Sequence, residues 1–385
     1  MQSHLLRFVA AAACCAFSVR PAAAAFPGSN GLITFTRDTI GDTTGQVAVA
    51  AATHDAEVTL LTSGPATNGL SAWSADGGCL TFYSDRDGGD AELYVMGATG
   101  SAQTRLTLYP GFDYDGVFSP DGTRLAFTSD RDGDSEIYEY ALADGSMAQL
   151  THNTDIEISP AWSPDGSKIA FVSRRDGNFE IYTMNSDGTD QTRLTDNTGD
   201  DLYPNWSPDG KHIAFATVRP GTIDRDIWTM DDDGGNPKSL LARAGNDSEP
   251  AWSPDGTLIA FSGNAGTAAG HIYVVSASDG SGLVQVTTSE TVDDRQPDWQ
   301  SVDSQAPVAL CPTVTPVLCG DATYDSAIKA GDAQAILRAA VGQGVVCPLI
   351  RCDVDDNKVI VASDALRTLQ FAVGIAVTLD CPPPT

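Results

Sequence analysis

Positive charge is scarce in this sequence. Against 51 Asp and Glu it carries 22 Lys and Arg, a formal net charge of -29 over 385 residues. Such a surface repels nucleic-acid phosphates and anionic headgroups, so the partners to expect are cations, basic surfaces or neutral glycans. Histidine is rarer still, five in all: beyond His4 in the N-terminal segment, His54, His152, His212 and His271 stand singly, none follows His271, and no Cys-x-x-Cys pair occurs. A zinc site is disfavoured on both counts. No Gly-x-Ser-x-Gly elbow offers a nucleophile. No catalytic residue can be nominated, and the expectation is a binding protein rather than an enzyme.

Long apolar runs are absent after the N-terminus. Residues Met1 to about Ala25 have Arg7, then Phe8 to Val19, then Ala23-Ala24-Ala25. A positive start, an apolar stretch too short to span a bilayer and small residues for cleavage describe an export signal. A buried helix is the alternative, but Pro21 and the alanine run show no amphipathic period. Cys14 and Cys15 leave with such a signal. Of the six cysteines remaining, Cys311, Cys319, Cys347, Cys352 and Cys381 crowd the end and Cys79 stands alone. Disulfides within a small C-terminal domain are expected, with one of its cysteines left over and the connectivity open.

What the sequence has in abundance is a repeat. It reads Ala72-Trp73-Ser74-Ala75-Asp76-Gly77, Val117-Phe118-Ser119-Pro120-Asp121-Gly122, Ala161-Trp162-Ser163-Pro164-Asp165-Gly166, Asn205-Trp206-Ser207-Pro208-Asp209-Gly210 and Ala251-Trp252-Ser253-Pro254-Asp255-Gly256, with a partial Pro297-Asp298-Trp299. The aromatic returns every 44 to 47 residues, the length of one four-stranded propeller blade. Within a unit, Lys168 to Ser173, Glu180 to Met184 and Thr192 to Thr195 read as strands joined by Asp-Gly hairpins. The chain starts in mid-blade with Leu32 to Thr36, Gln46 to Ala51 and Val58 to Thr62. Gln296 to Gln300 can supply the missing strand and close the ring. Six blades are expected, with seven as the alternative.

These motifs, with Ile169-Ala170-Phe171, Ile213-Ala214-Phe215 and Ile259-Ala260-Phe261, resemble the TolB-like propeller family over about Phe26 to Gln300. Ala75 and Phe118 depart from its pattern. The resemblance implies an all-β propeller in a cell-envelope setting, although the family's transport component has an extra N-terminal α/β domain, for which the residues before Asn30 leave no room. Related propellers also cap peptidases, which need a further hydrolase domain of about 200 residues. Others act on acidic polysaccharides through a channel metal, an alternative for this chain too.

Propeller topology puts the loops leading into each blade on one mouth of the channel. Asp113 and Asp115, Asp155 and Glu157, Asp200 and Asp201, Asp247 and Glu249, and Asp293 and Asp294 fall in five successive loops of this kind. They are candidates for binding a cation, a basic segment or a glycan, or else a solvated acidic face. The hairpins Ser84-Asp85-Arg86-Asp87-Gly88, Ser129-Asp130-Arg131-Asp132-Gly133 and Ser173-Arg174-Arg175-Asp176-Gly177 read as turns whose Asp accepts backbone hydrogen bonds, with calcium as the lesser option.

Beyond a proline-bearing linker, 301–318, the pattern changes. Asp321, Thr323, Asp325 and Asp332, and again Asp353, Asp355, Asn357 and Asp364, stand at positions 1, 3, 5 and 12 of calcium loops, with the carbonyls of Ala327 and Val359 at position 7. Ala335, Ile336, Ala339 and Ala340, then Leu366, Leu369 and Ala372, follow at helical spacing and end at Gly342 and Gly374. This duplicated loop and helix over 319–381 resembles a dockerin. The resemblance implies calcium as cofactor and a cohesin-like partner or cell-surface assembly, recognised through Ala330-Gly331 and Ala362-Ser363. Ser326 and Lys329, and Lys358 and Val361, depart from the dockerin pattern. A helical pair without an ion is the alternative.

Overall fold

In the computed structural model the described residues are 26–302, except 42–43, 88, 109–110, 219–220, 222 and 268, together with Cys311. The signal-like segment, most of the linker, and the dockerin-like module with all its calcium-loop and partner positions lie outside them. Regular structure among the described residues is entirely strand, arranged as six four-stranded antiparallel sheets.

The inner strands are Asn68–Trp73, Asp113–Phe118, Glu157–Trp162, Asp201–Trp206, Asp247–Trp252 and Val292–Val302. The last joins Ser29–Thr39, Gln46–Ala50 and Thr59–Leu60 to complete blade 1, with Ile33 opposite Trp299 and Thr34 opposite Asp298. The two ends of the domain thus share one sheet. Ring closure by mixed pairing leaves no blade with an unsupported inner edge.

Each repeat residue has a structural task. In blade 4 the Ser163 hydroxyl donates to Asp165 Oδ1 at 2.6 Å, the Lys168 amide donates to Ser163 Oγ at 3.0 Å, and Gly166 turns the chain at φ 72°. Ser74 donates to Asp76 at 2.6 Å in the same way although Ala75 replaces the proline. The turn therefore depends on the Ser-Asp pair rather than on the ring of proline. Phe82, Phe127, Phe171, Phe215 and Phe261 of the second strands are fully buried. They form the layers between blades, and Phe118 is buried in the tryptophan position.

The cysteine expectation needs correcting. Cys79 is not solitary but bonded to Cys311, 232 residues away, so the start of the C-terminal region is tied to blade 2. Spacing could not reveal this, because the pair is brought together only by ring closure. The four cysteines beyond Cys311 are left as an even set.

Candidate binding mouth of the central channel

The antiparallel order puts the beginnings of the inner strands and the hairpins between second and third strands at one mouth of the channel. One hydrogen bond repeats there in all six blades. The amide of the first inner-strand residue donates to the carbonyl that precedes the third strand of the previous blade: Asn68 to Gly45, Asp113 to Ala91, Glu157 to Ser135, Asp201 to Phe179, Asp247 to Arg225 and Asp294 to Gly270, at 2.7 to 2.9 Å. Each blade is thereby latched to its neighbour through backbone alone, whatever side chain is present.

The side chains of those six residues are at most 1% exposed. Burying a carboxylate requires a partner, and arginines supply it. Arg131 Nη2 donates to Asp113 at 2.9 Å, Arg175 Nη2 to Glu157 at 3.3 Å, Arg243 Nη2 to Asp247 at 2.8 Å and Arg37 Nε to Asp294 at 2.7 Å. Arg86 makes the corresponding bond to Asn68 Oδ1 at 2.7 Å, while the Asn197 amide reaches Asp201. The guanidinium groups are also stacked: Arg131 lies 5.3 and 4.7 Å from the Phe127 and Tyr138 centroids, and Arg243 5.4 and 4.0 Å from Phe261 and Tyr273. The Ser-x-Arg-Asp-Gly hairpins provide this double engagement by charge and ring face in blades 3 and 4, and Arg243 provides it in blade 6 from the loop before the inner strand. Their Asp residues brace the same corner, Asp85 accepting the Thr67 amide at 2.7 Å and Asp130 that of Phe112 at 2.6 Å.

Three residues before the recurring aromatic position of the repeat, every inner strand bulges. Leu70, Asp115, Ser159, Tyr203, Glu249 and Gln296 all have φ between 53° and 62°. Left-handed conformation in a non-glycine residue costs about 1 kcal/mol or more, so its sixfold recurrence marks it as a property of the blade backbone and not of any one side chain. A second set of acids adjoins the first. Burial, against the opposing effect of Thr107 and Arg105, pushes Glu92 up to about 7. Burial, with a further contribution from Glu157, pushes Glu136 up to about 7.

The acidic residues nominated from sequence therefore do not form one ring. Asp113, Asp115, Glu157, Asp201, Asp247, Glu249 and Asp294 are buried, Asp200 and Asp293 are half-buried and Asp155 is exposed. The five pairs fall at different registers relative to the bulge. His271 is 2% exposed and begins the third strand of blade 6, where Glu92, Glu136 and Glu180 begin theirs. Among the described residues no group of three or more His, Cys, Asp or Glu is disposed to hold a metal ion.

The hairpin-arginine frame is interrupted at blade 6. Blade 6 has Gly263-Asn264-Ala265 where blades 2 to 4 have Ser84, Ser129 and Ser173 followed by their hairpin arginines. Its acid, Asp247, is paired from the preceding loop by Arg243 instead. A Cβ on Gly263 would lie 2.3 Å from Asp247 Oδ1 and 2.5 Å from Arg243 Nη2, and one on Gly270 would lie 2.4 Å from Asp293 Oδ1. A side chain at either place would push these carboxylate and guanidinium ends aside. What remains is an open recess of 310 Å³ between blades 5, 6 and 1, with Tyr203, Arg225, Ser248, Glu249, Asn264 and Arg295 on its walls.

Comparison with known proteins agrees with this architecture. The family model described as the TolB beta propeller domain matches residues 46–158 and 152–224. The ring is a TolB-like β-propeller. A TolB homolog of Chlorobium chlorochromatii is 46% identical over 43 residues, 11% of this chain and 10% of that protein. An uncharacterized peptidase, YuxL, of Bacillus subtilis is 41% identical over 56 residues, 14% of this chain and 8% of its own length. The matches thus span a tenth or less of these curated relatives. The crystal structure of TolB from Acinetobacter baumannii superposes with a TM-score of 0.63 at 22% identity, over 72% of this chain and 68% of that one. Kuenenia stuttgartiensis hydrazine synthase gives 0.59 at 16% identity, over 74% and 48%. At these identities the likeness is one of fold.

Proposed function

We propose that this protein is an exported, non-enzymatic binding component of the bacterial cell envelope, and that its TolB-like propeller engages a partner at the channel mouth where the hairpin-arginine frame is interrupted. The observation that carries this is the recess itself. In blades 2 to 4 the hairpin arginine packs on two rings and closes the corner, while the stretch at blades 5, 6 and 1 holds space and polar walls. Departures from an otherwise consistent repeat are where function is to be sought. The export signal and the Cys79–Cys311 bond support an oxidising compartment.

A second reading rests on the two Asp-rich loops beginning at Asp321 and Asp353, which suit calcium-dependent docking to a cohesin-like receptor. One experiment separates the two. The full chain and a chain ending at Pro312, which keeps Cys311, are used to capture partners from the producing organism's envelope fraction with calcium or with chelator. The mouth reading expects the same partner with both chains and no effect of chelator. Loss of capture in the shortened chain and in chelator would transfer the binding function to the C-terminal loops.

A further inference from the structure

The geometry points to a carboxylate as the group that the recess receives, held by Arg225 and Ser248. This deepens the mouth-binding proposal and rests on it. Arg225 is the residue just before the third strand of blade 5. Its carbonyl makes the inter-blade latch to Asp247, as Gly45, Ala91, Ser135, Phe179 and Gly270 do elsewhere, so its side chain is not needed for that bond. Among these six positions only this one carries a cation.

The acids around the recess are already engaged by donors of their own. Asp293 accepts the Gly270 amide at 2.7 Å and lies 3.0 Å from Arg295 Nε, and Arg295 also pairs with Asp38. Glu249 accepts the Gln296 amide at 2.8 Å and the Ser262 hydroxyl at 2.6 Å. Asp224 accepts the Gly245 amide at 3.1 Å. By contrast, Arg225 Nε and Ser248 Oγ are buried donors with no hydrogen-bond partner among the described residues. Two donors left unmet among the residues that line the recess call for an acceptor, and a guanidinium together with a hydroxyl matches a planar carboxylate. The volume suits a single acidic side chain or a small dicarboxylic acid.

The test is titration calorimetry on the full chain with two probes, the blocked peptide acetyl-Gly-Glu-Gly-amide and succinate, each compared with its amide counterpart. Saturable binding of either acid, weakened about tenfold or more by Arg225→Met and by the amide, supports the assignment; which acid binds tells whether the carboxylate is borne by a polypeptide or free. Arg225→Lys should retain part of the affinity, and the unfolding midpoint of Arg225→Met should stay near that of the parent. Failure of both acids to bind, or affinity unchanged in Arg225→Met, overturns it. If the acids fail while a partner still cross-links at Asn264, only the ligand class is wrong; if cross-linking fails as well, the mouth reading falls with it.

Discussion

Replacing Arg131 with methionine should destabilise the propeller by about 3–5 kcal/mol, measured by urea unfolding at neutral pH. Arg131 is 9% exposed in its side chain and Asp113 is fully buried, so the substitution leaves a carboxylate in the interior with its cationic partner gone. Burial already raises Asp113 above the ordinary carboxylate range, against the pull of Arg131. Without the arginine it must take up a proton to stay inside. The stacking over Phe127 and Tyr138 is lost at the same time. Arg131→Lys should recover only part, since an ammonium cannot both fork to the acid and lie flat on two rings. Asp113→Asn combined with Arg131→Met should be milder than Arg131→Met alone, because a neutral amide is tolerated at this position, as Asn68 shows in blade 2. A loss below about 1 kcal/mol for Arg131→Met would mean that the ion pair is not what closes the blade corner.

Asp298→Asn should raise stability at alkaline pH and leave it nearly unchanged in acid. Asp298 is 4% exposed, and its Oδ2 accepts the Trp73 amide of the next blade at 2.7 Å. Burial pushes its carboxyl up to about 8, against the two backbone amides that favour the charged form. The folded state therefore holds this proton more tightly than the unfolded chain, whose aspartates titrate near 4. The contribution is intact below that value and is lost as the pH rises through about 8. Each tenfold difference in proton affinity corresponds to about 1.4 kcal/mol, so the loss at pH 9 is on the order of a few kcal/mol. Glu92 and Glu136, raised to about 7, add to the decline with the same sign. Asparagine can replace the acid without losing the bond, since Asn205 Oδ1 accepts the Trp252 amide at 2.8 Å at the equivalent place. Melting curves of parent and variant that separate between pH 5 and pH 9 are expected. Parallel curves would show that Asp298 does not carry this proton.

The architecture was legible because its markers are local. Trp-Ser-Pro-Asp-Gly encodes a turn within a few residues, and the late Pro297-Asp298-Trp299 set against an orphan N-terminal set of three strands is enough to imply ring closure. The mouth was less legible, because its order depends on register across strands. The polar residue at the start of the inner strand and the hairpin arginine lie 18 residues apart in Asn68 and Arg86, Asp113 and Arg131, and Glu157 and Arg175. That fixed spacing was the available signal, and reading the hairpins for their aspartates alone passed over it. The bulge had no signal at all, since Leu70, Asp115, Ser159, Tyr203, Glu249 and Gln296 share conformation but not chemistry. The recess forms only where blades 5, 6 and 1 meet in space, with Gly263-Asn264 of blade 6 in place of an arginine corner.

Site-specific photo-crosslinking in the producing cells tests the central claim most directly. A photoreactive residue is placed at Asn264, on the recess, and in a second strain at Asp144, in an exposed turn between the third and fourth strands of blade 3 at the opposite mouth. The account predicts a discrete envelope protein adduct from position 264 that is absent from position 144 and is lost when Arg225→Met is added. Adducts from position 144 alone, equal adducts from both, or none from either would contradict it.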